Sequence, residues 1–360
     1  MEQRAFFSLF LFLLPLLACC VEKQVYIVYF GEHNGEQTLQ EIENDHHSYL
    51  SSVKESEEEA KASLLYSYKN SINGFAALLT PDEASRLSEL KEVVSLFKSH
   101  PGKYSLHTTR SWEFVGLDET EEFKQKNKDD LLIKAGHGKD VIVGMLDNGV
   151  WPESKSFSDE GMGPVPKSWN GICQTGQDFN LSHCNRKLIG ARYYIKGYEQ
   201  YYGPLNTSLD SRSPRDMDGH GTHTASTVGG RQVHHASALG GFASGTASGG
   251  APLVRLAIYK ACWAIPNQGK ELGNTCFAED MLAAIDDAIA DGVNVLSISI
   301  GTHEPTPYMK DGIAIGALHG IKKTSLFLVV LETMARHLQR CPIRPRGSSP
   351  LVLAVLTGHL

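Results

Sequence analysis

Two segments of the chain combine residue types that could carry out acid–base chemistry. Asp147 directly follows an apolar run at 141–146, and Asn-Gly comes after it. In open α/β sheets, catalytic groups gather where the buried strands end, so we predict that Asp147 is a catalytic carboxylate. The alternative is an ordinary turn, because Asp-Asn-Gly is also common turn chemistry.

The second segment centres on His220, which lies between two glycines in the stretch 216–226. Glycine lets another group come close to the ring, and a buried helix N-terminus disfavours the protonated imidazole. His220 is therefore predicted to act as a base near neutral pH. His223 and the nearby aspartates raise the alternative of a metal site, but their spacing matches no zinc signature. We expect no metal and no cofactor, and we expect His234 and His235 to be surface residues.

The elements that must position these residues fall into two blocks, of which the first mixes short apolar strands with helices. Its second helix has a capping box, with Thr80 as the N-cap and Glu83 as the third helical residue. This mixture predicts a small α+β domain of ferredoxin-like type. The strands are predicted at 24–30, 64–68, 74–79 and 93–97, and the first helical stretch at 41–62.

From residue 140 the pattern changes to strands that alternate with helices. The run 141–146 is continuously apolar, as expected for a strand buried on both faces. Such alternation predicts an α/β fold with a doubly wound parallel sheet. Further strands are predicted at 254–261 and 293–300, helices at 280–291 and 311–323, and a polar link at 119–134.

Charge and the first residues narrow the classes of function. The formal net charge is −7 and the chain has no long run of Lys and Arg, so we expect no nucleic-acid partner. Arg4 precedes an apolar run at 5–17 that ends in small residues, which is the layout of a secretory signal peptide over residues 1–20. The alternative is a membrane anchor, for which this run is short. We therefore expect a secreted protein with no membrane partner after the signal is removed.

Secretion changes the interpretation of the cysteines, because disulfides persist in oxidising compartments. Cys173 and Cys184 lie in a polar, loop-like stretch and are a predicted disulfide pair, and Cys262 and Cys276 are a second candidate pair. The alternative for both pairs is free buried thiols, and Cys341 is left unpaired. Candidate N-glycosylation sites, which require the same secretory route, are Asn180 and Asn206.

Three stretches resemble one known family. Residues 143–153 (Val-Gly-Met-Leu-Asp-Asn-Gly-Val-Trp-Pro-Glu) resemble the aspartate motif of plant subtilisin-like proteases. Residues 218–223 (Asp-Gly-His-Gly-Thr-His) match the histidine motif of that family in full. Residues 280–301 are similar to its helix and to the strand that lines its substrate cleft. The early domain is similar to the inhibitory propeptide of the family at 26–29 and 73–77.

The resemblance implies a serine endopeptidase zymogen whose partners are a peptide or protein substrate and its own propeptide. Asp147 would orient the imidazole of His220, which would take the proton from a serine hydroxyl and return it to the leaving amine. Asn148 stands where the family usually has threonine, and we expect this departure to be tolerated. One wall of the pocket for the side chain before the scissile bond would be formed by Ser299, Ile300 and Gly301.

The resemblance also implies a division of the chain and an extracellular location, including the cell wall. The propeptide would be cleaved after about His107. The tail lies outside the family pattern and is expected to be disordered. The expected segments are a signal peptide at 1–20, an inhibitory propeptide at 24–107, an incomplete subtilisin-like domain at 108–324 and the tail at 325–360.

Two parts of the family's site have no counterpart in this sequence: the Gly-Thr-Ser motif of the nucleophile and the Asn of the oxyanion hole. The tail matches what codons of the family would encode if they were read in a shifted frame. Codons for Gly-Asn-Asp-Gly-Pro, read one base late, yield residues 332–336 (Glu-Thr-Met-Ala-Arg), and residues 346–352 fit the same frame. We therefore hypothesise a frameshift, with an unrelated natural tail as the alternative. The chain as it stands is expected to be inactive and unable to remove its own propeptide.

Three hypotheses for the function remain open. The first is a secreted serine endopeptidase that is made as a zymogen. The second is a binding function, in which residues 24–107 act as a protease inhibitor or folding assistant; a complete propeptide on an incomplete enzyme favours it. The third is a truncated product without function. The substrate and the cleavage preference stay open in each case.

Overall fold

The structure is a computed structural model, and it describes residues 22–33, 35, 37–101, 104–106, 131–238, 240–267, 274–302, 306–323, 326–332 and 351–356. The predicted signal peptide at 1–20, the predicted cleavage point after His107 and Cys341 lie outside these residues. Within the described ranges, no helix is both long and apolar enough to span a membrane.

The first domain has four strands and three helices: β1 (Gln24–Gly31), α1 (Leu39–Ser51), α2 (Glu57–Ser63), β2 (Leu64–Tyr68), β3 (Asn73–Leu79), α3 (Pro81–Ser88) and β4 (Ser95–Lys98). The strands form an antiparallel sheet in the order β2-β3-β1-β4. This is the predicted ferredoxin-like arrangement, and it is confirmed. Thr38 and Thr80 each close a capping box, and the predicted helical stretch 41–62 is divided because Ser56 caps a new helix.

The two faces of this sheet pack against different partners. Val28 and Phe75 point into a core shared with α1, α2 and α3. Their neighbours Ile27 and Ala76 belong instead to a core that continues into the second domain. Because side chains alternate along a strand, one apolar face holds the helices and the other requires the second domain as a cover.

The remaining elements are β5 (Tyr104–Leu106), which follows the first domain, and those of the second domain. The latter are α4 (Leu131–Lys134), β6 (Ile142–Asp147), β7 (Leu188–Tyr193), α5 (Lys196–Tyr202), α6 (His220–Gly229), β8 (Val233–Ala238), β9 (Phe242–Ala247), β10 (Arg255–Lys260), β11 (Cys262–Ala264), β12 (Asn274–Cys276), α7 (Ala278–Asp291), β13 (Val295–Ile298), β14 (Ile300–Thr302), α8 (Gly312–Lys322), β15 (Leu326–Glu332) and β16 (Leu351–Leu356). The large sheet has the order β16-β15-β13-β6-β10-β7, and its pairs from β15 to β7 are parallel.

Helices cover both faces of this sheet, so the predicted doubly wound α/β fold is confirmed. Ile142 and Leu146 of β6 pack in the core that contains α7. Val143 and Met145 of the same strand pack in the opposite core, together with Ala225 of α6. The continuous apolar run of β6 is therefore explained by burial on both sides. β7 was not predicted from the sequence, because its Gly and Arg interrupt the apolar pattern.

The sheet extends further along the chain than the predicted boundary at residue 324. β15 pairs in parallel with β13, with Val295 opposite Leu326, and β16 pairs antiparallel with β15. The stretch expected to be disordered therefore contains two strands. The physical reason is its composition, since residues 326–331 (Leu-Phe-Leu-Val-Val-Leu) are wholly apolar and suit a buried strand.

The domains meet along α7, whose carboxylates face the first domain. Asp286 accepts hydrogen bonds from the backbone N–H groups of Ser71 and Ile72, at 2.7 and 3.0 Å. The Ser99 hydroxyl donates to Glu279 Oε2 at 2.5 Å. The other carboxyl oxygen of Glu279 has no hydrogen-bond partner among the described residues. Burial, with the neighbouring Asp280 carboxyl, raises the pKa of Glu279 to about 8.

This pKa makes the stability of the chain depend on pH. Between the ordinary pKa of 4.5 and about 8, the folded chain binds the Glu279 proton more tightly than the unfolded chain does, so the free energy of unfolding falls as pH rises. Glu279→Gln removes this contribution. We expect the variant to gain stability relative to the parent chain between pH 5 and pH 8, measured by urea unfolding. The exposed Glu58→Gln is the control, and equal pH slopes for the parent and Glu279→Gln contradict the prediction.

Candidate active site

Asp147 ends β6 at the carboxyl edge of the parallel sheet, in the position that the sequence predicted. The residue is almost fully buried, with 1% exposure. Its Oδ1 accepts a hydrogen bond from the Asn148 backbone N–H at 2.8 Å, and its Oδ2 accepts one from the Thr224 hydroxyl at 2.9 Å. These donors hold the carboxylate in one orientation.

His220 is the first residue of α6, and Gly219 before it has a φ of 110°. This left-handed conformation is one that glycine adopts readily, so the chain can turn sharply into the helix. The turn aims the imidazole at the end of β6. His220 Nδ1 lies 2.8 Å from Asp147 Oδ1, and the His side chain retains 13% exposure.

Asn148, the departure from the family motif, joins the two halves of the site. Its side-chain oxygen accepts the Gly221 N–H at 2.7 Å, and its amide nitrogen donates to Asp218 Oδ2 at 3.2 Å. One amide thus binds both the first turn of α6 and the loop before it. A threonine hydroxyl at this position could accept the same N–H. It has a single donor hydrogen and a shorter side chain, so it offers fewer hydrogen bonds than the amide does.

Asp216 organises the loop that leads into α6, and the sequence analysis did not assign it this role. Its buried carboxylate accepts hydrogen bonds from the N–H groups of Asp218 and Gly219, at 2.9 and 2.7 Å, and from the N–H of Thr222 at 2.9 Å. It therefore satisfies N–H groups at a helix start that have no partner within the helix. The available signal was an Asp followed two residues later by Asp-Gly, which is typical of a side-chain-stabilised turn.

A buried lysine binds two residues of the segment that leads into this loop. Lys260 lies opposite Asp147 in the parallel register of β10 and β6. Its ammonium group donates to Asp210 Oδ1 and to the Arg215 carbonyl oxygen, both at 2.6 Å. Burial lowers the pKa of Lys260 and raises that of Asp210, and the ion pair opposes both shifts. Lys260 could not be recognised from the sequence, because a single lysine in an apolar strand belongs to no motif.

The predicted pocket wall lies at the end of the neighbouring strand. Ser299 joins β13 to β14, and Ile300 and Gly301 lie in β14. β14 pairs antiparallel with β5, with Ile300 opposite Leu106. On its other side β5 pairs with β12, so the sheet order is β11-β12-β5-β14. A segment from the end of the first domain therefore lies as a strand in a slot between two strands of the second domain.

Within the described residues, both predicted cysteine pairs form disulfides. Cys173 and Cys184 have Cα atoms 6.2 Å apart, and Cys262 and Cys276 have Cα atoms 4.3 Å apart. The second pair is fully buried and links β11 to β12, which is one edge of the slot. Free thiols are therefore the wrong alternative for both pairs.

The other singled-out residues lie at the surface. His223, His234 and His235 are exposed, as are Asn180 and Asn206 of the candidate glycosylation sites. His220, in contrast, contacts Asp147. In the part of the chain that the structure describes, no three His, Cys, Asp or Glu side chains group as a metal site would.

Two family models match separate parts of the chain. A family model described as peptidase inhibitor I9 matches residues 25–105, and one described as the subtilase family matches residues 138–331. The second match covers more than half of the chain. The chain belongs to the subtilase family and carries an I9 inhibitor domain in front of the subtilase part.

Curated relatives are similar over most of the chain. It is 69% identical over 328 residues to subtilisin-like protease SBT5.6 of Arabidopsis thaliana, an alignment that covers 87% of this chain and 42% of the relative. It is 65% identical over 338 residues to SBT5.5 of the same plant, covering 88% of this chain and 42% of that protein. The chain thus spans about two-fifths of the length of these relatives.

Solved structures show a more distant likeness. The epidermin leader peptide processing serine protease from Staphylococcus aureus aligns with a TM-score of 0.45 at 14% identity. That alignment covers 86% of this chain and 60% of the bacterial one.

The close approach of α6 to the end of β6 is testable at Gly221. A Cβ at this position would lie 2.2 Å from the Gly149 carbonyl oxygen and 2.7 Å from Asn148 Oδ1. Because backbone must move to make room, we expect Gly221→Ala to lower the free energy of unfolding by about 2 kcal/mol. Urea unfolding measures the change. Gly245→Ala is the matched control, since its Cβ meets nothing within 4 Å; equal stability of the two variants contradicts the geometry.

Proposed function

We propose that this chain is the N-terminal part of a secreted serine endopeptidase zymogen, in which Asp147 and His220 are the acid and the base of an Asp-His-Ser triad. The observation that supports the proposal most is the 2.8 Å contact between His220 Nδ1 and Asp147 Oδ1 at the carboxyl end of a parallel sheet. The second support is the family to which the chain belongs.

The geometry divides the chemistry between the two nitrogens of the ring. Nδ1 faces a buried carboxylate, so it carries a proton that it donates to Asp147. Nε2 is then the nitrogen that takes the proton of a serine hydroxyl and later returns it to the leaving amine. Asp147 orients the ring and stabilises the imidazolium that forms between these steps.

The nucleophile is the part of the triad that these 360 residues do not supply, because they contain no Gly-Thr-Ser motif. We therefore expect the chain alone to have no peptidase activity. In subtilisin itself, loss of the serine lowers kcat by about 2 × 10⁶. The chain would also leave its own propeptide attached, because autoprocessing needs the same nucleophile.

The slot between β12 and β14 is the proposed substrate cleft. Peptides commonly bind proteins by adding a strand to an exposed sheet edge, and β5 does this here from within the chain. Ile300 and Gly301 pair with Leu106 and Ser105, so the wall predicted from the sequence is occupied by the end of the inhibitor domain. We propose that β5 imitates the residues before a cleaved bond and thereby blocks the cleft.

Secretion to the cell exterior, including the cell wall, is part of the same proposal. Two disulfides suit an oxidising compartment. Asn180 and Asn206 are exposed, and the hydroxyls of Ser182 and Ser208 donate to their side-chain oxygens at 2.6 and 2.8 Å. Both acceptors are thus accessible for N-glycosylation, which we propose at each.

A second candidate function is inhibition or assisted folding by the first domain. The observation that favours it is the packing of this domain along α7 together with the strand that fills the slot. This domain already packs against the subtilase part of its own chain, which has no nucleophile. It could therefore bind an intact relative only after it separates from that part. Inhibition of SBT5.6 by the 360-residue chain would support this function, and no inhibition at micromolar concentration would remove it.

A hybrid protease tests the leading proposal. Residues 1–331 of this chain replace the matching part of SBT5.6, whose remaining sequence supplies the rest of the catalytic domain. We expect the hybrid to cleave peptides. His220→Ala should lower kcat by about 10⁶, as loss of the base does in subtilisin. Asp147→Asn should lower kcat by about 10⁴, as the same substitution does in a chymotrypsin-type triad.

The control variant is His234→Ala, which changes an exposed histidine away from Asp147 and should retain the activity of the hybrid. Circular dichroism checks that each variant folds. Peptidase activity that survives in the folded His220→Ala hybrid would rule out the proposed base.

A further inference from the structure

In the strand that lies in the slot, the side chain of Tyr104 is bound by polar groups. Tyr104 has 1% exposure, although it lies in the connection between the two domains. Main-chain pairing with Cys276 and Thr302 fixes the backbone of Tyr104, but such pairing is the same for any side chain. In strand addition, specificity comes from the pockets that receive alternate side chains. The pocket that receives Tyr104 is therefore a candidate determinant of specificity.

The Tyr104 hydroxyl lies at the start of α8. It accepts a hydrogen bond from the Gly312 N–H at 3.0 Å, and it lies 3.5 Å from Asp311 Oδ1, to which it can donate. Asp311 is the N-cap of α8, and the same Oδ1 accepts the Ile313 N–H at 2.8 Å. The phenol thus meets one donor and one acceptor in the geometry that a hydroxyl, and no apolar group, can satisfy.

The Tyr104 hydroxyl also accepts a hydrogen bond from an N–H group at the start of α8. The first N–H groups of a helix have no partner within it, and Gly312 is buried at the first helical position. Asp311 accepts from the N–H groups of the next two residues, so the Gly312 N–H is left to the Tyr104 oxygen. Burial and the Asp311 carboxylate raise the pKa of Tyr104, so the phenol stays neutral and keeps its proton for donation.

We infer that Asp311 and the Gly312 N–H form a subsite that hydrogen-bonds the hydroxyl of a substrate tyrosine. At the fourth residue before the cleaved bond, this subsite selects tyrosine over phenylalanine. This inference rests on the proposed function, in which β5 occupies the cleft as a substrate does and the chain is cleaved after about His107. The selectivity concerns the hydroxyl and not aromatic character. A phenylalanine ring would fill the same space but leave the buried Gly312 N–H without an acceptor.

The size of the effect follows from that unpaired group. A buried N–H that loses its acceptor keeps the full cost of its desolvation, and sites built around a substrate hydroxyl reject the analogue that lacks it. We therefore expect kcat/KM to be about tenfold or more higher for the tyrosine substrate. An apolar pocket without these polar groups would prefer phenylalanine or treat the two alike.

The hybrid protease described above provides the test. The substrates are two acetylated tetrapeptides with a fluorogenic amide leaving group, Tyr-Ser-Leu-His, which copies residues 104–107, and Phe-Ser-Leu-His. The ratio of their kcat/KM values is measured in the parent hybrid and in Asp311→Ser. Serine keeps the N-cap but reaches less far, so we expect the ratio to fall by roughly threefold.

Tyr308→Phe is the matched control, since it removes the hydroxyl of an exposed tyrosine near α8 and should leave the ratio unchanged. Cleavage of both peptides at equal rates, or faster cleavage of the phenylalanine peptide, overturns the inference and leaves the proposed function intact. A folded hybrid that cleaves neither peptide, nor a mixed peptide library, contradicts the proposed function and this inference with it.

Discussion

The contact between His220 and Asp147 is the constraint on which the rest of the site depends. It requires the first turn of α6 to lie against the residues that follow β6, at a distance that excludes a side chain at Gly221. Asn148 and Asp216 then hold this arrangement through N–H groups that the helix start leaves unpaired. The site is therefore built mainly from hydrogen bonds to backbone, which fix the imidazole before any substrate is present.

The first domain and the slot depend on the second domain in a different way. One face of the antiparallel sheet is apolar and packs against α7 and its neighbours. Carboxylates of α7 accept hydrogen bonds from N–H and hydroxyl groups of the first domain, as Asp286 and one oxygen of Glu279 do. Separation of the domains would expose both features to water. The strand that follows the first domain is consequently held in the slot by packing elsewhere as well as by its own pairing.

Much of this could be predicted from the sequence, because the relevant signals are local. The apolar run before Asp147 and the glycines around His220 predicted their positions, and the capping box at Thr80 predicted a helix start. The bridging role of Asn148 and the buried pair of Lys260 with Asp210 could not be predicted. Those contacts join residues that are distant in sequence, and a single Asn or Lys has no pattern that names its partner.

The tautomer of His220 tests the central claim most directly. Nitrogen-15 NMR of the 360-residue chain, labelled at histidine and assigned with His220→Gln, identifies which ring nitrogen carries the proton in the neutral form. The account predicts a proton on Nδ1, donated to Asp147 and slow to exchange with water. A proton on Nε2, or an Nδ1 proton that exchanges as fast as that of an exposed histidine, would contradict it.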